Sequence, residues 1–297
     1  MKQAIIRNKK YFGYILYGFI LTIGLLYYHF PSEIFRDYLQ SNANTLNPKL
    51  ILSIAKVNPS FPFGLNLLEP RVSLKTDPQI MVFKAENLFI KPDLWSYLKG
   101  ESKYNFDCPV NNTKFNGDIC SSKGNAKTSF TASVAIENVR IENITHLSGL
   151  VFRNLGGVLA GTITYSGQYN SIIEGTGQAS LKISDGHVEF LHPFLNHGSI
   201  AYNKLSIKMD LKNNKIDLKH VELIGREIQG SLSGIVVLKR PFLKSSIDLR
   251  GTIEILAGFL NNKGTLGNLR LFKQRLKKGK LSFTIRGTLT EPQFKVI

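Results

Sequence analysis

The chain has 297 residues, with 38 lysines and arginines against 21 aspartates and glutamates, so its formal net charge is +17 at pH 7. Hydrophobic residues make up 43% of the sequence, an ordinary fraction for a globular protein, which excludes a mainly disordered chain. A positive charge of this size is compatible with two classes of anionic partner, nucleic acids and lipid headgroups.

The distribution of the basic residues separates these two classes. Lysines and arginines are spread along the chain, and their densest cluster lies at 273–280. No nucleic-acid-binding motif accompanies them, so the sequence predicts no nucleic-acid partner. A solvated basic face is the favoured interpretation, and attraction to lipid headgroups is the alternative.

The first element in chain order is an uncharged apolar segment at 11–28. As a helix, eighteen residues reach roughly 27 Å, which is enough to cross the core of a bilayer. Arg7, Lys9 and Lys10 precede the segment and predict a cytoplasmic N-terminus. A cleaved signal peptide is the alternative, but no small-x-small cleavage site follows, which favours a retained anchor.

A short amphipathic helix is expected to leave the membrane at 31–39. Ser32 suits its N-cap, and Asn42, Asn44, Asn47 and Pro48 are expected to break it. The sequence therefore predicts a cytoplasmic basic terminus at 1–10, a transmembrane helix at 11–28 and a membrane-proximal helix and linker at 29–48. One β-domain on the far side of the membrane is predicted at 49–297.

The next elements are strands and one short helix. Prolines and a glycine separate apolar runs between residues 50 and 90, which predicts strand cores at 71–75 and 80–84. A short helix is expected at 92–99, with Pro92 in its first turn and Gly100 just past its end.

Strict alternation of apolar and polar residues dominates the second half of the chain, notably at 205–211, 247–255 and 281–289. Such strands have one dry face and one wet face, which predicts an antiparallel sheet covered on one side. Turns are expected at 184–186 and 212–215. The fold class predicted is mainly β: a transmembrane helix, then an elongated, curved antiparallel sheet with a few short helices.

Three further features interrupt the strand pattern. The alternation slips at 220–221, which indicates a β-bulge. Apolar spacing at 146–160 and 255–262 is compatible with short helices that would close the ends of a curved sheet.

Two cysteines, Cys108 and Cys120, lie twelve residues apart in a polar segment. On the far side of a membrane they would be in an oxidising compartment. A metal or redox pair is the alternative, but there is no second pair, no Cys-x-x-Cys and no histidine nearby. The sequence therefore predicts a Cys108–Cys120 disulfide that closes a loop.

The search for catalytic chemistry gives no active site. His187, His192 and His197 recur every five residues, but in a strand an odd spacing alternates the faces, so a surface loop is favoured over a metal site. Gly-x-Ser-x-Gly, His-Glu-x-x-His and phosphate-binding glycine loops are absent from the sequence. We therefore predict no enzymatic activity, no metal and no cofactor.

Three segments combine strands with turn or glycine signals. Residues 83–100 form a unit of a strand, a short helix and Leu-x-Gly, and residues 177–190 a strand, an Asp-Gly turn and a strand. Both units resemble those of AsmA-like envelope proteins. Residues 287–294 match a Gly-x-Leu-x-x-Pro-x-Phe ending. The length, the single anchor and Phe-Pro-Ser-Glu at 30–33 more narrowly resemble the type II secretion system protein N family in its short, AsmA-related form.

The resemblance implies a single-pass protein of the bacterial inner membrane with its bulk in the periplasm. It implies an accessory scaffold or assembly role in type II secretion, with secretion-system proteins as partners. The alternative is an AsmA-like module that binds or transfers phospholipid through an apolar β-groove. No catalytic residue is carried over, because these motifs contain none.

Under the lipid alternative, the candidate lipid-facing residues are Ile207, Leu249 and Ile285, which share the apolar phase of three separate strands. A dry face left open across several strands would be costly, at roughly 25 cal/mol per Å² of exposed apolar surface. Acyl chains would cover it in a groove, and protein would cover it in a closed core. The sequence leaves these two alternatives open.

Overall fold

The structure, a computed structural model, describes residues 2–46, 50–75, 81–110, 113–123, 128–141, 152–168, 173–194, 197–240, 242–256 and 280–297. Two helices open the chain, and a third, short helix follows the first six strands. Their bounds are α1 Lys2–Tyr28, α2 Ser32–Leu46 and α3 Leu94–Leu98.

Strands form most of the rest of the described chain. The first nine are short to medium in length: β1 Leu50–Ser53, β2 Lys56–Ser60, β3 Gly64–Leu68, β4 Arg71–Leu74, β5 Met81–Lys84, β6 Asn87–Pro92, β7 Ser102–Val110, β8 Thr113–Lys123 and β9 Thr128–Arg140. The longer strands follow: β10 Phe152–Gln168, β11 Thr176–Phe194, β12 His197–Lys212, β13 Lys215–Ile224, β14 Ile228–Val237, β15 Ser246–Ile255, β16 Lys280–Thr288 and β17 Pro292–Val296.

One antiparallel sheet of fourteen strands dominates the molecule. Its order is β17-β16-β15-β14-β13-β12-β11-β10-β9-β8-β7-β6-β3-β2, so from β6 onward each strand pairs with the next along the chain. The sheet is curved and does not close, because its edge strands β2 and β17 do not pair with each other. The prediction of a mainly β fold with a curved antiparallel sheet is confirmed.

A second sheet of three strands, β1-β4-β5, continues the first strands of the large one. The backbone N–H of Glu69 donates to the carbonyl of Glu86, and that of Ala85 to Pro70, so the β3–β6 pair runs on into β4–β5. The predicted strand cores at 71–75 and 80–84 correspond to β4 and β5.

Helix α2 packs on β1 and β2 and is longer than predicted. Its apolar side encloses a small core of Ile54, Val57 and Leu67. The expected end at residue 39 is wrong, because α2 continues through Asn44, whose Oδ1 accepts a hydrogen bond from the N–H of Leu52 in β1. This tertiary partner offsets the weak helix propensity of asparagine.

Ser32 holds the start of α2 against the sheet. Its hydroxyl donates to the carbonyl of Val57 and accepts from the N–H of Val57. The residue expected to cap the helix thus binds strand β2 instead.

The predicted short helix at 92–99 is present as α3, with shifted ends. Pro92 is the last residue of β6, so its placement in the first helical turn is wrong. Asp93 caps the helix, since its carboxylate accepts from the N–H groups of Trp95 and Ser96. Gly100 follows the helix with φ +79°, as the glycine signal predicted.

Turn and bulge expectations have mixed outcomes. Asn213 and Asn214 have positive φ and join β12 to β13, so the turn at 212–215 is confirmed. The bulge near 220 is also confirmed, since Leu218 pairs with Gly234 but Val221 pairs with Leu232. The turn at 184–186 is wrong, because Asp185 lies in a bulge inside the continuous strand β11.

The helix predictions at 146–160 and 255–262 are wrong where the structure describes these residues. Residues 152–160 belong to strand β10, and residues 142–151 lie outside the described chain. Ile255 ends β15, and most of the second expected helix, at 257–262, also lies outside the described residues. Glycines at 156 and 157 disfavour a helix here and are tolerated in the irregular pairing of β10 with β11.

The predicted disulfide is wrong, because both cysteines are free. They lie on paired strands but far out of register: Cys108 pairs with Phe115, and Cys120 with Lys103. Five residues of strand separate Cys108 from Lys103, roughly 17 Å, whereas a disulfide needs Cα atoms about 4.4–6.8 Å apart. Five is also odd, so the two side chains point to opposite faces.

The two thiols are therefore expected to differ in reactivity. Cys108 is buried, and burial, with a smaller contribution from the charge of Asp107, raises its pKa to about 11, so the unreactive thiol form persists at neutral pH. Brief alkylation of the native protein should label Cys120 first. After denaturation without reductant, mass spectrometry should find a label on each cysteine. If neither cysteine is labelled, the Cys108–Cys120 disulfide exists after all.

Candidate functional site

A single row of cross-strand neighbours runs through all fourteen strands of the large sheet, and every member is apolar or glycine. From β2 to β17 this central row is Pro59, Leu65, Ile90, Phe106, Gly117, Val134, Ile163, Ala179, Met209, Leu218, Gly234, Leu249, Ile285 and Phe294. Directly opposed residues in an antiparallel sheet project from the same face, so these side chains form one apolar stripe.

Two parallel rows widen this stripe into a surface, here called the apolar face. On one side lie Cys108, Phe115, Ile136, Gly161, Leu181, Ile207, Val221, Leu232, Gly251, Phe283 and Val296. On the other lie Pro92, Tyr104, Ile119, Ala132, Tyr165, Gly177, Leu211, Ile216, Val236, Ile247, Gly287 and Pro292.

The opposite face is polar. One of its rows, from β6 to β17, contains Lys91, Asn105, Asp118, Ser133, Thr164, Gln178, Asp210, Asp217, Ile235, Asp248, Arg286 and Gln293. Cross-strand ion pairs form here between Lys103 and Asp118 and between Arg286 and Asp248. Both pairs are solvent-exposed enough to contribute little stability, and they keep this face hydrated.

The structure brings the three predicted lipid-facing residues onto the apolar face. Leu249 and Ile285 are direct cross-strand partners in the central row, and Ile207 lies in the neighbouring row. Leu249 is 9% exposed, while Ile207 and Ile285 are half-buried. Their shared face is therefore established, and their contact with lipid stays a prediction.

Side chains of the apolar face are buried at several places along the sheet, among them Cys108, Leu249 and Phe283. Helix α2 packs on β1 and β2, and Phe83 of the small sheet contacts Phe115 with ring centroids 6.2 Å apart. Farther along, over β13 to β16, the face has an open hollow of about 140 Å³ lined by residues that include Val221, Leu232 and Phe283.

A larger apolar groove, the junction groove, lies where α1 meets the β2–β3 hairpin. Its volume is about 700 Å³. The Tyr27 hydroxyl donates to the carbonyl of Pro62 in the hairpin tip at 3.1 Å, which fixes the end of α1 beside the sheet. The groove is lined chiefly by Leu25, Leu26, Phe30, Phe35, Pro59, Pro62 and Phe63.

Pro59 connects the two features. It lines the junction groove and is also the first member of the central row. Pro59 therefore places one wall of the groove in the same apolar row as the rest of the sheet. Sequence reasoning missed this groove, since the only local signal is the Phe-Pro-Phe tip at 61–63.

The histidines form no metal site in the part of the chain that the structure describes, where no cluster of three metal-ligating side chains occurs. His187 and His192 lie in β11 and His197 begins β12, so the expected loop is instead the end of a long hairpin.

Comparison with protein-family models, characterised proteins and solved structures gives no match to this chain. The AsmA-like resemblance therefore stays a prediction.

Truncation on the two faces should have unequal effects on stability. Leu249→Ala removes a buried side chain of the apolar face and should cost about 2–5 kcal/mol of unfolding free energy. Ile235→Ala is the matched control, because Ile235 is 45% exposed on the polar face of the adjacent strand and should cost less than about 0.5 kcal/mol. Chemical denaturation in detergent measures both, and equal losses would contradict the assignment of faces.

Proposed function

We propose that this protein is a membrane-anchored lipid-binding protein whose apolar face holds acyl chains. The observation that carries the proposal is the unbroken apolar row across fourteen strands, which begins at Pro59 beside the end of α1. This apolar face can bury hydrocarbon. We assign no acid–base or nucleophilic chemistry to it. Each methylene taken from water would contribute about 0.8 kcal/mol.

The dimensions of the sheet favour lipid over a small apolar ligand. Thirteen strand spacings of about 4.8 Å give the central row a length of roughly 62 Å along the sheet. The hydrocarbon core of a whole bilayer is about 30 Å thick, so the row is long enough for several acyl chains end to end. The exposed basic residues of the chain suit the phosphates of the headgroups.

The proposed location is the bacterial inner membrane, with α1 as a single-pass anchor. Its segment Tyr11–Tyr28 is long and apolar enough to span a bilayer, and none of that window is buried against the rest of the protein. Arg7, Lys9 and Lys10 favour a cytoplasmic N-terminus, which would put the sheet in the periplasm.

Topology is testable by reporter fusion. A reporter active only in the periplasm should work when it is joined after Ile297, and a cytoplasmic reporter there should be silent. Intact-mass analysis of the membrane fraction should show α1 retained. A mature N-terminus near residue 30 would contradict the anchor.

Site-specific photocrosslinking tests lipid on the apolar face. A benzophenone amino acid at Ile207 lies eight strand spacings from β2, roughly 38 Å along the sheet from the strand beside α1. In cells labelled with radioactive phosphate, irradiation should attach labelled phospholipid to the protein at this site.

The matched control is the same amino acid at Ser180. Ser180 precedes Leu181, the cross-strand partner of Ile207, but belongs to the polar face and is exposed. It should give no lipid adduct. Equal lipid labelling at both sites, or none at either, would contradict the proposal.

A scaffold role in type II secretion is the second candidate, and the free edge of the sheet favours it. Strand β17 pairs only with β16 among the described strands, so its outer backbone groups are available to a strand of another protein. Protein adducts from the same amino acid placed in β17 at Gln293, together with no lipid adduct at Ile207, would favour this role.

A further inference from the structure

We infer that α3 and the tip of the β2–β3 hairpin form a second membrane contact, which lays this end of the sheet against the bilayer surface from which α1 emerges. The inference goes beyond lipid binding by the apolar face, and it rests on the proposed anchoring of α1. The surface, here called the interfacial patch, consists of Phe61, Phe63, Leu94, Trp95, Tyr97 and Leu98.

Helix α3 has an apolar composition that the fold does not use. Four of its five residues are large apolar or aromatic side chains, and none of the five is buried. Trp95 is 77% exposed, and Leu98 and Tyr97 are similarly open to solvent. A contiguous exposed cluster of this kind marks an interaction surface, and tryptophan and tyrosine are enriched where proteins meet the headgroup layer.

The topology places α3 and the hairpin tip at the same end of the strands. The tip joins Ser60 to Gly64, and a Cβ at Gly64 would touch Lys91 near the end of β6. Helix α3 begins two residues after Pro92, and the N–H of Asp93 donates to the carbonyl of Lys103 at the start of β7. Helix α3 and the hairpin tip with the exposed Phe61 therefore lie at the same end of neighbouring strands.

The position of α1 identifies the occupant as membrane. Tyr27, in the last turn of α1, hydrogen-bonds the hairpin tip at Pro62, so the tip lies at the level where the apolar segment ends. The exposed Lys91 and Lys99 flank the patch and would meet anionic headgroups, which attract basic side chains near such a surface.

This contact would orient the molecule. One transmembrane helix leaves a domain free to tilt about its exit point, whereas a second contact at α3 fixes the sheet edge to the bilayer. The junction groove, between α1 and the hairpin tip, would then open at the lipid surface rather than into water. Lipid access to the junction groove would follow from this orientation.

Trp95 provides a direct test, because it is the one tryptophan in the chain. The full-length protein is reconstituted into phosphatidylcholine–phosphatidylglycerol vesicles, either plain or brominated on the acyl chains near the glycerol backbone. Trp95 should lose fluorescence in the brominated vesicles and emit at shorter wavelength than in water. If brominated lipid leaves the fluorescence of Trp95 unchanged while iodide in the aqueous phase quenches it, the inference is overturned.

Two variants control the measurement. In Trp95→Phe/Ile235→Trp, the reporter moves to the polar face of β14 and should be insensitive to brominated lipid. Leu98→Asp puts a charge on an exposed site of the patch and should reduce the quenching of Trp95, whereas Leu98→Met should preserve it. Unchanged quenching in Leu98→Asp would argue against docking through the patch.

Flotation of the same vesicles after an alkaline wash separates this inference from the anchor. Protein that floats while Trp95 remains unquenched would leave the anchor standing and refute the second contact. Protein that fails to float would refute the anchor itself.

Discussion

Fourteen strands pair in a register that keeps the apolar side chains of the central row on one face, and the apolar face of the structure depends on it. Side chains alternate with a period of two, so a slip of one residue in any pairing would turn the apolar residues of the following strands toward water. The strict alternation of apolar and polar residues penalises such a slip. The register of a single sheet thus produces both a hydrated face and an apolar one.

β-Bulges keep apolar side chains on the same face where their spacing along the sequence departs from strict alternation. Leu218 and Val221 are three residues apart, a spacing that would put them on opposite faces of a regular strand. The extra residue between them in β13 restores both to the apolar face. The bulge in β11 acts similarly, since Ile183 and Val188, five residues apart, both pack into one cluster with Ile141 and Tyr202. The irregularities are therefore part of the apolar surface.

The N-terminal end of the sheet combines anchoring and packing. Ser32 binds both backbone groups of Val57, and Tyr27 binds Pro62, so the end of α1 and the start of α2 are tied to β2 and the hairpin after it. The core around Ile54 and Leu67 fills the space beneath α2. Consequently the apolar row begins next to the segment suited to the membrane, as the proposed lipid binding would need.

Much of the architecture is readable from local sequence. The uncharged segment before Tyr28, the period-two pattern of β12, β15 and β16, and the Asn-Asn turn after Lys212 are each set by interactions between near neighbours in the chain. The same periodicity was enough to place Ile207, Leu249 and Ile285 on one face before their strands were paired.

Other features depend on partners distant in sequence, and only the tertiary structure decided them. The register of β7 with β8 separates Cys108 from Cys120, which spacing alone had suggested as a disulfide. The length of α2 depends on Asn44 meeting Leu52, and the Asp185 bulge on the pairing of β10 with β11. The junction groove requires α1 and the hairpin to meet. Sequence determined which residues seek burial, because that is a property of each side chain; the structure determined what they are buried against, because that depends on which strands pair and in what register.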